Sequence, residues 1–269
     1  MNRIRKVQIE TIRDCNGKCR ICDYRDKKRD KAPRKMTGKV FRTIVKKIAA
    51  LPNLETVCPY GHNEPLLDPK MFNKIRYIKK KLPHVRIEMS TNGILLPGFW
   101  DKFCFLVDDR WVSFHGISKE TYEKNMGLPW YRGEWVRRLI KSRPDKHFVI
   151  STGLIGYTRE DAEKYWRGYN VKVMTFVPRD RAGNIKSDSV LSFDYPNNPD
   201  FDCWRFNKFL VFNTEGILLP CSNDLEERGM YASHKMEVAQ IEFLRELYRE
   251  DNRQGYNTIC RKCEDSWTV

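Results

Sequence analysis

Six short runs rich in β-branched residues alternate with helical stretches through the first two-thirds of this sequence. The runs are KVQIET (6–11), ETVCPY (55–60), VRIEMST (85–91), RWVSFH (110–115), HFVIST (147–152) and VKVMTFV (171–177). Between them lie KVFRTIVKKIAAL (39–51), PKMFNKIRYIKKKL (69–82), KETYEKN (119–125), EWVRRLIKS (134–142) and REDAEKYWRG (159–168). In the first of these, Val40, Ile44, Val45 and Ile48 share one face with lysines opposite, the stripe of a helix that lies on a core. Such alternation predicts an α/β fold, a parallel sheet with helical crossovers. Six units rather than eight predict a partial (βα)6 TIM-like barrel, whose reactive groups gather at the C-terminal ends of the strands.

Beyond residue 186 the pattern changes. SDSVLSFDYPNNPDFDC (187–203) reads as a linker, FLVFNTEGILLPC (209–221) as a β-hairpin with a glycine in its turn, and EVAQIEFLRELYRED (237–251) as a helix. The expected organisation is a barrel domain over 1–185 and a small hairpin-and-helix domain over 186–269. No repeat or low-complexity tract interrupts it.

The nine cysteines stand at 15, 19, 22, 58, 104, 203, 221, 260 and 263. An odd number in two tight groups, with no apolar signal core at the N-terminus, argues for metal ligation in a reducing compartment rather than a disulfide framework. No apolar run approaches the ~18 residues of a membrane span, so the chain reads as soluble and cytoplasmic. The net charge is +15, from 50 Lys+Arg against 35 Asp+Glu. That field suits nucleic acid, an anionic metabolite or an acidic partner, though a solvated lysine-rich surface accounts for it equally. The segment DYRDKKRDKAPRKMTGK (23–39) concentrates eight Lys/Arg and three Asp directly after Cys22.

Cys15, Cys19 and Cys22 form C-x3-C-x2-C in the loop after the first strand, with no fourth cysteine nearby. A structural zinc site wants four ligands, and a cubic iron–sulfur cluster normally takes one cysteine per iron. Three thiolates therefore leave one position open, unless a distant fourth ligand closes a zinc loop. The spacing and position resemble the signature of the radical S-adenosylmethionine (radical SAM) superfamily. The resemblance implies that Cys15, Cys19 and Cys22 hold three irons of a 4Fe–4S cluster. The amino and carboxylate groups of S-adenosylmethionine (SAM) then chelate the fourth. Ile21 stands where the family usually has an aromatic residue before the third cysteine.

Further segments resemble the same family. YGHNEPLLDP (60–69) is similar to its glycine-rich stretch ending in Glu-Pro-Leu-Leu, which implies cosubstrate contacts from Gly61, Asn63 and Glu64. Gly61 allows close backbone approach, and Glu64 can accept hydrogen bonds from an ammonium. Asn63 replaces a more usual glycine. MSTNGILL (89–96) and VSFHGISKETYEKNMG (112–127) make Ser90, Asn92 and Ser113 candidates for the ribose or carboxylate of SAM. His115 takes the place of a customary Asp; it either faces substrate or is a satisfied strand-end histidine. FVPRDRAGN (176–184) offers Arg181 to the methionine carboxylate, with Arg179 as its competitor. Cys58 reads as a small buried residue of the second strand and Cys104 as core.

Cys203, Cys221, Cys260 and Cys263 are similar in spacing to the abbreviated SPASM domain called twitch. That resemblance implies a second, auxiliary 4Fe–4S cluster; a four-cysteine zinc ribbon is the competing reading. The likeness runs from Cys15 to Cys263 and implies a radical mechanism. A reduced cluster passes one electron to the sulfonium of SAM, and the resulting 5′-deoxyadenosyl radical abstracts hydrogen from substrate. The implied partners are SAM, an electron donor such as flavodoxin or ferredoxin, and a substrate that is a peptide or protein, a nucleotide or nucleic acid. The rival from another class is a zinc-containing basic nucleic-acid-binding protein without radical chemistry.

Overall fold

A computed structural model gives the fold, describing residues 3–22, 34–179, 185, 203–224, 232–233 and 238–253. Six strands form as the sequence predicts: β1 (Lys6–Ile9), β2 (Thr56–Cys58), β3 (Arg86–Thr91), β4 (Asp109–Ser113), β5 (Phe148–Gly153) and β6 (Val171–Phe176). Each pairs in parallel with the next in sequence. The crossovers carry α1 (Gly38–Ile48), α2 (Met71–Lys81), α3 (Trp100–Leu106), α4 (Lys119–Met126), α5 (Trp130–Lys141) and α6 (Arg159–Tyr165). Thr37 caps α1 by accepting from the Val40 N–H at 3.2 Å. Ser118 with Thr121 and Thr158 with Asp161 form reciprocal capping boxes at α4 and α6.

After β6 come the short helix α7 (Trp204–Lys208), β7 (Phe209–Phe212), β8 (Ile217–Leu219), β9 (Ala232–Ser233) and α8 (Val238–Arg253). β7 and β8 are the expected hairpin, with Gly216 at φ +78° in its turn. The hairpin joins the main sheet: β7 lies parallel to β1, and the strand order is β6-β5-β4-β3-β2-β1-β7-β8-β9. The sheet is open, with β6 and β9 at its edges. The α/β architecture and mostly parallel partial barrel agree with the sequence expectation.

Strand alternation divides the two faces of the sheet. Val7 and Ile9 of β1 enter the core with Phe41, Ile44 and Ile75 of the helices. Lys6 and Gln8 point the other way and line a cavity inside the curve of the sheet. Among the described residues no helix is long and apolar enough to cross a membrane.

Candidate metal and cosubstrate site

The cavity holds ≈ 550 Å³ and opens at the C-terminal ends of the strands. Cys15, Cys19, Cys22, Gly61, Asn63, Glu64, Ser90, Asn92 and Ser113 all line it. Of the residues expected at this site, Arg181 alone lies outside the described residues; Arg179 is exposed just beyond β6. The basic segment after Cys22 is likewise outside them up to residue 33.

The cysteine loop hangs from the C-terminal end of α4. The N–H groups of Lys18 and Arg20 donate to the carbonyls of Met126 and Asn125, both at 2.9 Å. Those carbonyls belong to the last turn of α4, which has no intrahelical partner for them. Gly127 ends the helix at φ +61°, and a Cβ there would stand 2.9 Å from Lys18 Cβ. A Cβ at Gly17 would be in ordinary contact with the loop, 3.6 Å from Cys19 Sγ and 3.7 Å from Cys15 Sγ, so the glycine lies between two of the three sulfurs. Cys15 Sγ accepts from the Gly17 N–H at 3.4 Å. Ile21 is buried against Gly153 at the end of β5, so an aliphatic side chain covers this flank of the loop.

Burial pushes the Cys19 thiol far above its ordinary range, and the neighbouring Cys22 and Cys15 push it further. Three ionised thiols cannot share this pocket without a positive centre among them. A bound iron–sulfur core would supply that charge, and its binding would release the protons. Among the described residues no three His, Cys, Asp or Glu side chains converge to hold a single ion. The donor set, three soft thiolates at the rim of one cavity, fits an iron–sulfur cluster.

The stretch from Tyr60 to Asp68 is stapled to this loop by Glu64. Its N–H donates to the Asp14 carbonyl at 2.9 Å. Its carboxylate accepts from Leu66 N (3.1 Å), Thr91 Oγ1 (2.6 Å) and Asn92 N (2.8 Å). Burial raises the Glu64 carboxyl to about 7 against the pull of those donors. The close approach that Gly61 permits is to Glu10, whose Cβ would lie 2.9 Å from an added Cβ. Asn63 Oδ1 accepts from the Gly61 N–H at 2.7 Å, while its buried Nδ2 has no partner among the described residues. Asn92 Nδ2 donates to Asn16 Oδ1 at 2.6 Å, tying β3 to the cysteine loop. Ser90 and Ser113 face each other across β3 and β4, Oγ to Oγ 3.3 Å. His115 also lines the cavity; its Nδ1 accepts from the Gly153 N–H at 3.0 Å.

Sequence reasoning missed the floor of the cavity. Lys6 Nζ donates to both oxygens of Glu88 at 2.7 Å, Tyr60 Oη donates to Glu88 at 3.1 Å, and Cys58 Sγ does so at 3.5 Å. Cys58 is therefore a lumen residue, and burial keeps both it and Tyr60 protonated. Barrel interiors are usually filled by Val, Ile and Leu; this one carries an ion pair and serines. The signal was present as charges at the inward positions of KVQI and RIEMS.

Trp204, Arg205 and Phe209 complete the cavity wall from the C-terminal segment. His62 on the Tyr60 loop meets the Ser222 carbonyl at 2.5 Å, beside Cys221. Cys203 caps α7, its Sγ accepting from Phe206 N at 3.5 Å, and Cys221 Sγ accepts from Asn223 N at 3.3 Å. Each sulfur thus receives a backbone N–H. Arg245 of α8 lies within electrostatic reach of both cysteines; burial pushes its guanidinium down to about 9, and nearby Arg249 adds to this. Cys260 and Cys263 lie outside the described residues. Cys104 is buried in the core, as expected.

Comparison with known proteins agrees with this geometry. The FeMo cofactor biosynthesis protein NifB of Klebsiella pneumoniae is 25% identical over 141 residues, covering 49% of this chain and 30% of that protein. The chain thus spans under a third of the curated relative it matches. Among solved structures, BtrN in complex with AdoMet and 2-DOIA superposes with TM-score 0.60 at 16% identity, over 97% of this chain and 93% of that one. SuiB of Streptococcus suis, bound to its precursor peptide SuiA, gives TM-score 0.73 at 13% identity over 98% and 70%. The enzyme anSMEcpe with bound AdoMet gives 0.64 at 16% identity over 98% and 84%. These likenesses concern the fold. The sequence profile described as "Radical SAM superfamily" matches residues 9–167, and with the cysteine triplet at the mouth of a partial parallel barrel, the chain belongs to the radical SAM superfamily.

Proposed function

We propose that this chain is a radical SAM enzyme carrying two 4Fe–4S clusters, which modifies a peptide, protein or anionic substrate such as a nucleotide or nucleic acid. The observation that carries the reading is one cavity gathering Cys15, Cys19 and Cys22 with Ser90, Asn92 and Ser113 at the strand ends. A cluster held by Cys15, Cys19 and Cys22 would supply the one-electron reduction that starts radical chemistry on SAM. In this reading Cys15, Cys19 and Cys22 are ligands, and Gly61, Asn63, Glu64, Ser90, Asn92, Ser113 and Arg181 bind SAM. The Lys6–Glu88–Tyr60 floor makes the space beneath Ser90 polar, which suits a substrate rich in hydrogen-bonding groups. Cys203, Cys221, Cys260 and Cys263 hold the auxiliary cluster of a twitch-like segment over 186–269, and a flavodoxin or ferredoxin delivers the electron. The peptide of SuiB supports a peptide substrate; the net charge of +15 supports an anionic one.

Reconstituted protein should hold about eight irons and eight sulfides. Changing Cys15, Cys19 and Cys22 together to Ala should halve this and abolish SAM cleavage under dithionite. Cleavage that persists in the triple variant, or zinc in place of iron in wild type, defeats the reading.

A further inference from the structure

The floor of the cavity holds polar groups that neither the cysteine triplet nor the proposed SAM contacts use. Glu88 stands two residues before Ser90 on β3, so the floor lies ~7 Å below the level of SAM. Lys6 Nζ meets both oxygens of Glu88 at 2.7 Å, and Tyr60 Oη and Cys58 Sγ donate to the same carboxylate. A carboxylate has about four lone-pair sites, so these donors saturate Glu88 and the ammonium is neutralised where it stands. A phosphate that reached Lys6 would meet the carboxylate as well. Apolar residues of similar volume often hold a fold as firmly as a buried ion pair, and they are the usual filling of a barrel. Stability alone does not call for this pair.

The neighbouring groups narrow the ligand. Gln8 of β1 and Trp111 of β4 are half-buried and line the same cavity, as does Phe209 of β7. The Gln8 amide both donates and accepts, whereas Tyr60 gives its proton to Glu88 and offers its oxygen as an acceptor. A complementary ligand must donate and accept at neighbouring atoms. Hydroxyls do so; a phosphate only accepts and an ammonium only donates. The Phe209 ring, 5.1 Å from Lys6 Nζ, and the Trp111 ring supply apolar surface for C–H groups. Size adds a limit, because SAM is itself a drug-sized ligand and ≈ 550 Å³ is an ordinary volume for one such molecule. What shares the cavity with it must be small.

We infer that the lower part of the cavity is a substrate subsite for an uncharged, hydroxyl-bearing ring, a sugar. Gln8 and Tyr60 take its hydroxyls, and Trp111 and Phe209 take its C–H faces. This rests on the SAM placement proposed above. The Lys6–Glu88 pair acts as a neutral polar base that holds Tyr60 in its acceptor role and turns phosphate away.

The test titrates glucose, uridine and glucose 6-phosphate into the anaerobic, cluster-loaded, SAM-bound protein, read by ligand-observed saturation-transfer NMR, with SAM cleavage under dithionite measured in parallel. Saturable glucose binding supports a free sugar, and uridine binding in its place supports the ribose of a nucleoside; either upholds the inference. Glucose 6-phosphate should bind about tenfold more weakly than glucose. Gln8→Leu and Tyr60→Phe should each weaken binding of the ring about tenfold. If one variant does not fold, the other decides, and if neither folds, the wild-type preference for the uncharged ring decides. Wild type that saturates with neither glucose nor uridine, or that binds glucose 6-phosphate more tightly than both, overturns the inference. Variants that hold the ring as wild type does overturn it too. SAM cleavage separates the failures: cleavage without ring binding overturns the subsite alone. A wild type that cleaves no SAM defeats the radical reading, and the subsite then stands or falls on the same titration.

Discussion

Cys15, Cys19 and Cys22 hang from the backbone of a helix end, whereas Cys203 and Cys221 sit on short elements beside a buried guanidinium. Around the first group, the charges that weigh most on Cys19 are those of Cys22, Cys15 and Glu64, and all oppose ionisation. Around the second, Arg245 favours it. The first site is defined by geometry and obtains its positive charge from what binds there. The second has a buried guanidinium within electrostatic reach. The two groups should therefore respond to different perturbations.

The largest separation should come from Gly116, which lies between β4 and α4. A Cβ there would stand 2.3 Å from the Tyr122 backbone nitrogen, a contact no side-chain motion relieves. Gly116→Ala should displace α4 and cost about 3 kcal/mol; on the two-cluster reading proposed above, iron is lost from the triplet and retained at the C-terminal cysteines. Thermal unfolding with site-resolved Mössbauer spectra checks it; equal iron loss from both sites would unite what the structure separates.

A pH effect of similar size should belong to the first region. The folded state holds the Glu64 proton up to about 7, against ~4.3 in an unfolded chain. Protonated Glu64 therefore contributes stability that is full below pH ~4.3 and is lost as pH rises through ~7, roughly 4 kcal/mol in all. Urea titrations across that window should show this fall in wild type and a flatter profile in Glu64→Gln. Parallel profiles would mean that Glu64 does not titrate there.

The smallest effect should come from Gly127→Ala. The left-handed conformation costs a residue with a Cβ about 1 kcal/mol, and Lys18 must shift away. SAM cleavage should fall several-fold with total iron unchanged, as the triplet loop tilts without opening. An unaltered rate would show that the loop tolerates a moved anchor.

The barrel was legible because its six strands are β-branched and separated by amphipathic helices. The short helix Trp100–Leu106 was not, because WDKFCFL spans only two turns, five of its seven residues are apolar, and it has no side-chain cap. The members of the triplet site are motif residues, close in sequence to a strand end. Glu88 and Lys6 carry no motif; their meeting depends on β1 and β3 flanking β2, with both side chains on the lumen face of the sheet. Arg245 was hidden differently. In EVAQIEFLRELYRED it reads as the polar face of a helix, and only the fold brings Phe206 and Phe209 against it.

The parallel pairing of β7 with β1 has a consequence for how the molecule is made. β1 gains one neighbour from β2 early in synthesis, but its other edge waits for a partner roughly 200 residues downstream. Until β7 arrives, Lys6, Val7, Gln8 and Ile9 present unpaired backbone groups along that edge, the arrangement most prone to wrong pairing. The wall that Trp204, Arg205 and Phe209 give the cavity is absent for the same interval. A nascent chain thus passes through a stage in which the cysteine triplet can already be folded while the chamber beside it stands open to solvent.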